Sequence, residues 1–179
     1  MRHIVKLTGF LTILMIFGCA WAQDVTPVSI ADRASSAVVM EALSLIGTPY
    51  RYAGDSPEAG FDCSGFVSFV FQDALDRHLP HSADEIFHAG SKVHRDELRA
   101  GDVLFFHIGH HGHKINHVAL YIGDGQFVHA PTSGSTVRVD KLSDSYWQRY
   151  YRGARRLIND QVALLAPISS DAVTTGASL

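Results

Sequence analysis

Residues 62–75, DCSGFVSFVFQDAL, constrain the fold more than any other stretch of this chain. The spacing predicts a helix that opens at Cys63 with Asp62 as its cap. Phe66, Phe69, Val70 and Leu75 form an apolar side, and Val67 and Phe71 widen it. A helix apolar over so much of its surface is stable only when other elements enclose it. The remaining segments must therefore wrap this one, which places it at the centre with Cys63 at its start.

The flanking segments supply the wrapping. SIADRASSAVVMEALSLIG has helical spacing, with Ile30, Ala34, Val38, Ala42, Leu45 and Ile46 on one face. Ser29 and Asp32 give a start resembling a capping box, and Gly47 gives a stop before Pro49. TPYRYAGDSPEAGF reads as a loop anchored by Tyr50 and Tyr52. LPHSADEIFHAG offers a short helix, with Ser82 as cap, Glu85 three residues later and Gly90 as stop. ELRAGDVLFFH reads as a turn at Ala100-Gly101 followed by a buried strand. NHVALYIGDGQFVHAP is a hairpin around Gly123-Asp124-Gly125. STVRVDKL adds a strand, and SDSYWQRYYRGARRLI adds a short helix and a last strand. Helices come first and strands later. That order predicts an α+β domain, with N-terminal helices packed on an antiparallel sheet.

Charge narrows the partners. Lys and Arg number 15 against 18 Asp and Glu, so no large basic field exists and nucleic acid is not an expected partner. The N-terminus points to the envelope instead. Arg2, His3 and Lys6 precede an apolar run over 7–17, and Ala20-Trp21-Ala22 has an A-x-A cleavage pattern. This predicts a secretory signal peptide over 1–22, a linker over 23–28, a folded domain over 29–158 and a flexible tail over 159–179. The apolar run is short for a membrane span, so no stable insertion is expected after cleavage. The expected location is the periplasm or cell envelope. The alternative is an outer-membrane lipoprotein processed at Cys19, although Phe17 is bulky for that signal. Cleavage after Ala22 leaves Cys63 as the single cysteine, unable to form an internal disulfide.

A lone thiol is most often a small buried apolar residue. Its address argues for chemistry here. Unpaired N–H groups and the helix dipole at a first turn favour an anion, so the thiol pKa is expected to fall. The same amides can stabilise an oxyanion, and Ser64 and Gly65 leave room for a substrate. A nucleophile also needs a base. With 11 histidines in the chain, position must decide which one serves. A three-residue loop from Gly123 to Gly125 pairs Ile122 with Gln126. His117 then faces Pro131, His129 faces Ala119, and both imidazoles lie on one side as diagonal neighbours. A two-residue loop without a bulge would put them on opposite faces. On this reading His117 takes the Cys63 proton and His129 orients the His117 ring.

The stretches GTPYRYAG, GFDCSGFV, LPHSA, LRAGDVLFF, HVALYIGDGQFVHAP and YRGARR, in that order, resemble the NlpC/P60 family of cell-wall cysteine peptidases, which have papain-like folds. The likeness covers roughly residues 35–157. It implies a triad of Cys63, His117 and His129. It implies hydrolysis of an amide in peptidoglycan stem peptides, between γ-D-glutamate and the diamino acid, with no cofactor and no metal. Tyr50 matches the tyrosine that assists the oxyanion. Asp62 and Ser64 match the residues that line the site and help hold the free amine of the stem. Two positions depart from the pattern. Tyr52 and Ala53 stand where Trp and Gly are common, and His81 stands where Arg is usual. Both departures bear on how the stem is gripped.

Other clusters have plainer readings. His107, His110, His111, His113 and His117 could together hold Zn²⁺ or Cu²⁺, but a glycine-rich run supplies no fixed geometry, and a solvated loop is the expectation. Arg152, Arg155 and Arg156 are expected at solvated strand ends. Trp147, Tyr146, Tyr150 and Tyr151 suit glycan stacking or core packing, and core packing is expected. The rival functions are a non-catalytic cell-wall-binding protein on the same fold and a His-rich periplasmic metal-binding protein. A monomer is expected.

Overall fold

A computed structural model of the chain describes residues 28–109 and 114–159. The expected signal peptide, Cys19, His110, His111, His113 and the tail beyond 159 lie outside the described residues.

Helix α1 spans Ile30–Ser44, with the Ser29 hydroxyl accepting from the Asp32 N–H at 3.0 Å. Ala34, Val38 and Ala42 are buried on it as expected, but Ile30 and Ile46 are 44% and 45% exposed. The helix stops at Ser44, so Ile46 leaves the 3.6-residue stripe, and Ile30 lies in the opening turn beyond the core edge. The segment read as a loop contains two short paired strands, β1 (Asp55–Ser56) and β2 (Gly60–Phe61). Helix α2 spans Cys63–Leu75 with Asp62 as its cap. Phe66, Val67, Val70 and Phe71 are fully buried on it, so it is the enclosed central helix that its composition demands. Helix α3 (Ala83–Phe87) has the complete capping box of Ser82 and Glu85.

A six-stranded antiparallel sheet faces these helices. Its strands are β3 (Ser91–Val93), β4 (Val103–Phe106), β5 (His117–Gly123), β6 (Gln126–His129), β7 (Arg138–Lys141) and β8 (Tyr151–Arg156). The order is β3-β8-β4-β5-β6-β7, so the last strand inserts between β3 and β4. Strand β3 has no sequence signal of its own, being short and half polar. Helix α4 (Ser145–Tyr150) precedes β8. One core joins α1 and α2 to Val103, Phe105, Val118, Leu120 and Val128. The alternate residues Leu104, Phe106, Ala119, Tyr121 and Phe127 form a second cluster with Trp147 on the opposite face.

Arg152 is exposed, as expected, but Arg155 and Arg156 are not merely solvated. Arg156 grips the buried Asp102 carboxylate with Nε at 2.9 Å and NH2 at 2.8 Å. Arg155 lies over the Phe87 ring and donates to its carbonyl at 2.7 Å. β8 is paired on both sides, by β3 and β4, so Arg155 and Arg156 are half-buried and only part of each head reaches water.

The start of α2 is close-packed against the loop before β1. A Cβ added to Gly65 would land on the Gly54 carbonyl oxygen, with the Asp55 Cα at 3.2 Å. Both neighbours are backbone and cannot step aside cheaply. Gly65→Ala should therefore cost about 1–3 kcal/mol in a urea titration, the range for overpacking. Unchanged stability would mean that this loop yields freely.

Candidate active site

Asp62 organises the neighbourhood of Cys63. Its Oδ1 accepts from the Gly65 N–H at 2.7 Å and the Ser64 hydroxyl at 3.0 Å. Its Oδ2 accepts from the Ala53 N–H at 3.1 Å. Ala53 has φ of 54°, a left-handed conformation that suits the glycine more usual there, and the Asp62 bond holds it in place. One carboxylate thus caps the helix and clamps the preceding loop.

The Cys63 sulfur rests on the start of β5. It lies 4.0 Å from the Asn116 carbonyl oxygen and receives the Val118 main-chain N–H. These are the backbone groups on either side of His117, so thiol and imidazole belong to adjoining positions. Asn116 is itself locked, accepting from the Ile108 N–H at 2.8 Å and donating to the Ile108 carbonyl at 2.7 Å.

The two histidines come together as the register argument requires, by a different turn. Gly123 pairs with Gln126 across a two-residue loop, Asp124-Gly125, in which both residues have positive φ. Ile122 is then extra, and the register beyond it is Tyr121↔Phe127 and Leu120↔Val128. Continued by one residue, this puts Ala119 opposite His129. The bulge does what a three-residue loop was expected to do. His117 Nε2 is 2.8 Å from His129 Nδ1, and both rings are buried. Trp147 stacks on His117 at 5.6 Å and 23° and meets His129 edge-on at 4.9 Å. Trp147 is core, as expected, but the core it completes includes the histidine pair. Beyond them, His129 Nε2 is 3.0 Å from Asp140 Oδ2. Asp140 was not legible beforehand. Its signal is the Arg138-x-Asp140 alternation on β7, but only the pairing of Arg138 with His129 gives that alternation meaning.

Tyr50 reaches the same site. Burial and the nearby Cys63 and Asp62 charges raise its hydroxyl pKa. A cleft of about 390 Å³ opens beside the first turns of α2, lined in part by Asp62, Gly65, Ser68, Phe69, Gln72 and His81; Cys63 and the paired histidines are not part of its lining. Tyr52 is 83% exposed.

Electrostatics correct one expectation. The Cys63 thiol is not depressed. Burial pushes it up to about 11, and the Asp62 charge adds to this. The Val118, Ser64 and Cys63 N–H groups pull the other way, but the lost hydration outweighs them. Burial also lowers His117 to about 3, with His129 contributing. His129 falls through burial, opposed by Asp140. Burial raises the Asp140 pKa, but the bonds from His129 and Arg138 win and hold it at about 2. These shifts favour a neutral thiol, neutral imidazoles and an ionised Asp140 at neutral pH.

The described residues thus form an α+β domain in which a thiol at the start of an enclosed helix rests on the strand that carries one of two paired histidines. Residues 47–156 match the sequence profile of the NlpC/P60 family, and the chain belongs to that family. The murein DD-endopeptidase MepH of Escherichia coli K12 is 38% identical over 129 residues, covering 71% of this chain and 47% of the relative. The gamma-DL-glutamyl hydrolase of Bacillus subtilis 168 is 39% identical over 175 residues, covering 96% and 42%. The crystal structure of an NlpC/P60 family protein from Bacillus cereus ATCC 10987 superposes with a TM-score of 0.65 at 30% identity, covering 70% of this chain and 40% of that one. The chain spans less than half the length of these relatives.

The pKa directions have measurable consequences. With a thiol near 11, alkylation of Cys63 by iodoacetamide should keep rising with pH through pH 9. A plateau above pH 6 would instead indicate a standing thiolate–imidazolium pair. Between about 3 and 6.5 the unfolded His117 binds a proton that the folded one refuses. Stability should therefore rise with pH across that window and fall on acidification. Asp140 has the same sign between about 2 and 3.8. Urea midpoints should be lower at pH 4 than at pH 7, with a smaller difference in His117→Gln. Equal midpoints would contradict the burial of a neutral His117.

Proposed function

We propose that the chain is an exported endopeptidase that hydrolyses peptidoglycan stem peptides between γ-D-glutamate and the diamino acid, with Cys63 as nucleophile. One observation carries the proposal. The Cys63 sulfur sits against the backbone flanking His117, whose ring is already bonded to His129. The likeness to a murein DD-endopeptidase supports a peptidoglycan substrate, and the likeness to a gamma-DL-glutamyl hydrolase supports a cut next to a γ-glutamyl residue.

The reaction runs in two halves. Cys63 loses its proton to His117 Nδ1 as sulfur attacks the amide carbonyl and the S–C bond forms. The Cys63 main-chain N–H and the Tyr50 hydroxyl receive the oxyanion. Collapse breaks the C–N bond, and the His117 proton leaves with the amine. Water, deprotonated by His117, then cleaves the thioester and restores the thiol. Neutral partners suit this scheme, because charge is created only as the bond forms. His129 holds the His117 ring. Asp62 lines the cleft next to the start of α2, where its charge favours a free stem amine, and the Ser64 hydroxyl bonded to it keeps it in place. His81 lines the same cleft and grips the stem where a guanidinium is more usual. The leader over 1–22 delivers the 29–158 domain to the periplasm or envelope.

The test is mass spectrometry of purified sacculus muropeptides incubated with the protein, beside Cys63→Ala. Products split after γ-D-glutamate, absent with the variant, are expected. Products split only at crosslinks would move the cut to the DD bond, and cleavage by Cys63→Ala would remove the nucleophile. His117→Ala should lower kcat by about 10²–10⁴-fold, the usual range for losing a general base, and His129→Ala by less.

A further inference from the structure

Asp140 has no place in a cysteine–histidine–histidine scheme, yet it ends a continuous line of hydrogen bonds that begins at His117. His117 Nε2 lies 2.8 Å from His129 Nδ1, and His129 Nε2 lies 3.0 Å from Asp140 Oδ2. An ionised carboxylate only accepts, and a neutral imidazole has one N–H and one lone pair. His129 must therefore donate from Nε2 to Asp140, which leaves Nδ1 as its lone pair. That lone pair can only accept, so His117 carries its proton on Nε2. The remaining nitrogen, His117 Nδ1, is left bare and able to take a proton.

From this line, we infer that Asp140 is a positioning residue that sets the tautomer of both histidines and so leaves His117 Nδ1 in its basic form. The inference rests on the peptidase reading for its consequence in catalysis, but not for the tautomers themselves. Asp140 is held for the task by donors from two elements. From β7 itself, Arg138 Nε and NH2 each reach a carboxylate oxygen at 3.1 Å. From α4, Trp147 Nε1 reaches Oδ2 at 3.1 Å. Every contact to the carboxylate is a donor, so its ionised form is the one the surroundings satisfy, in keeping with its lowered pKa. When the thiol proton reaches Nδ1, His117 becomes an imidazolium and keeps its Nε2–H bond to His129. No second proton moves. The new positive charge faces a fixed negative one across a single ring.

The experiment is long-range ¹⁵N–¹H NMR of histidine-labelled protein at pH 7, with kinetics on sacculi. His117 and His129 should both be neutral Nε2–H tautomers in the wild type. In Asp140→Ala both should become tautomer mixtures. kcat should fall by about 10²–10⁴-fold, the scale for a lost tautomer in a catalytic triad, with KM within about twofold. Asp140→Asn keeps the side-chain shape and should still lose at least about tenfold in kcat, because a neutral amide does not offset the imidazolium. An Nδ1–H on either wild-type ring would overturn the inference, whatever the variants do. So would Asp140→Ala with wild-type kcat. If the tautomers are as inferred but the wild type leaves sacculi intact, the positioning assignment stands and the substrate reading falls.

Discussion

The start of α2 is fixed by a helix with almost no surface to give to water. Phe66, Val67, Val70 and Phe71 are all fully buried, each worth about 1.5–3 kcal/mol of transfer free energy. They pack between α1 and the face of β5 and β6 that carries Val118, Leu120 and Val128. Once that packing is made, the position of Cys63 follows. Asp62 decides where the helix begins, and Gly65 allows the opening turn to lie on the preceding loop. Cys63 packs at the edge of the core cluster that joins α1, α2 and the sheet, so its placement is as rigid as that core.

That same enclosure sets the electrostatic problem of the site. Dry surroundings oppose both a thiolate and an imidazolium, and the amides at the helix start offset only part of the cost. A standing ion pair is therefore disfavoured, and in the reaction proposed above charge appears together with the bond to substrate. The compensating charge is Asp140, two rings away from the thiol and less enclosed than either histidine. A carboxylate placed directly against Cys63 would raise the thiol further, as Asp62 already does. Distance lets Asp140 stabilise the imidazolium without that penalty.

Much of this was readable from short stretches. The caps at Ser29, Asp62 and Ser82 and the alternation along 117–129 all depend on near neighbours, and each is where its residues require. The pairing of His117 with His129 was also legible, although the turn was not. Gly123-Asp124-Gly125 suits a three-residue loop or a two-residue loop with a bulge at Ile122, and the two give one register. Arg155 and Arg156 were misread because their partners, Phe87 and Asp102, lie on segments distant in sequence. β3 was invisible because its pairing is with the last strand of the chain.

The sequence by itself determined the elements, the helix-start address of Cys63, the shared face of His117 and His129, and the family. These follow from rules that act over one helical turn or one hairpin. Only the tertiary structure decided the burial that governs ionisation at the site and the contacts of Asp140, Trp147 and Asn116. Burial is a sum over every segment that packs around a group, and no local pattern reports that sum. The helix start alone argued for a lowered thiol. The sheet, α1 and the β5 backbone closed over it, and desolvation reversed the sign.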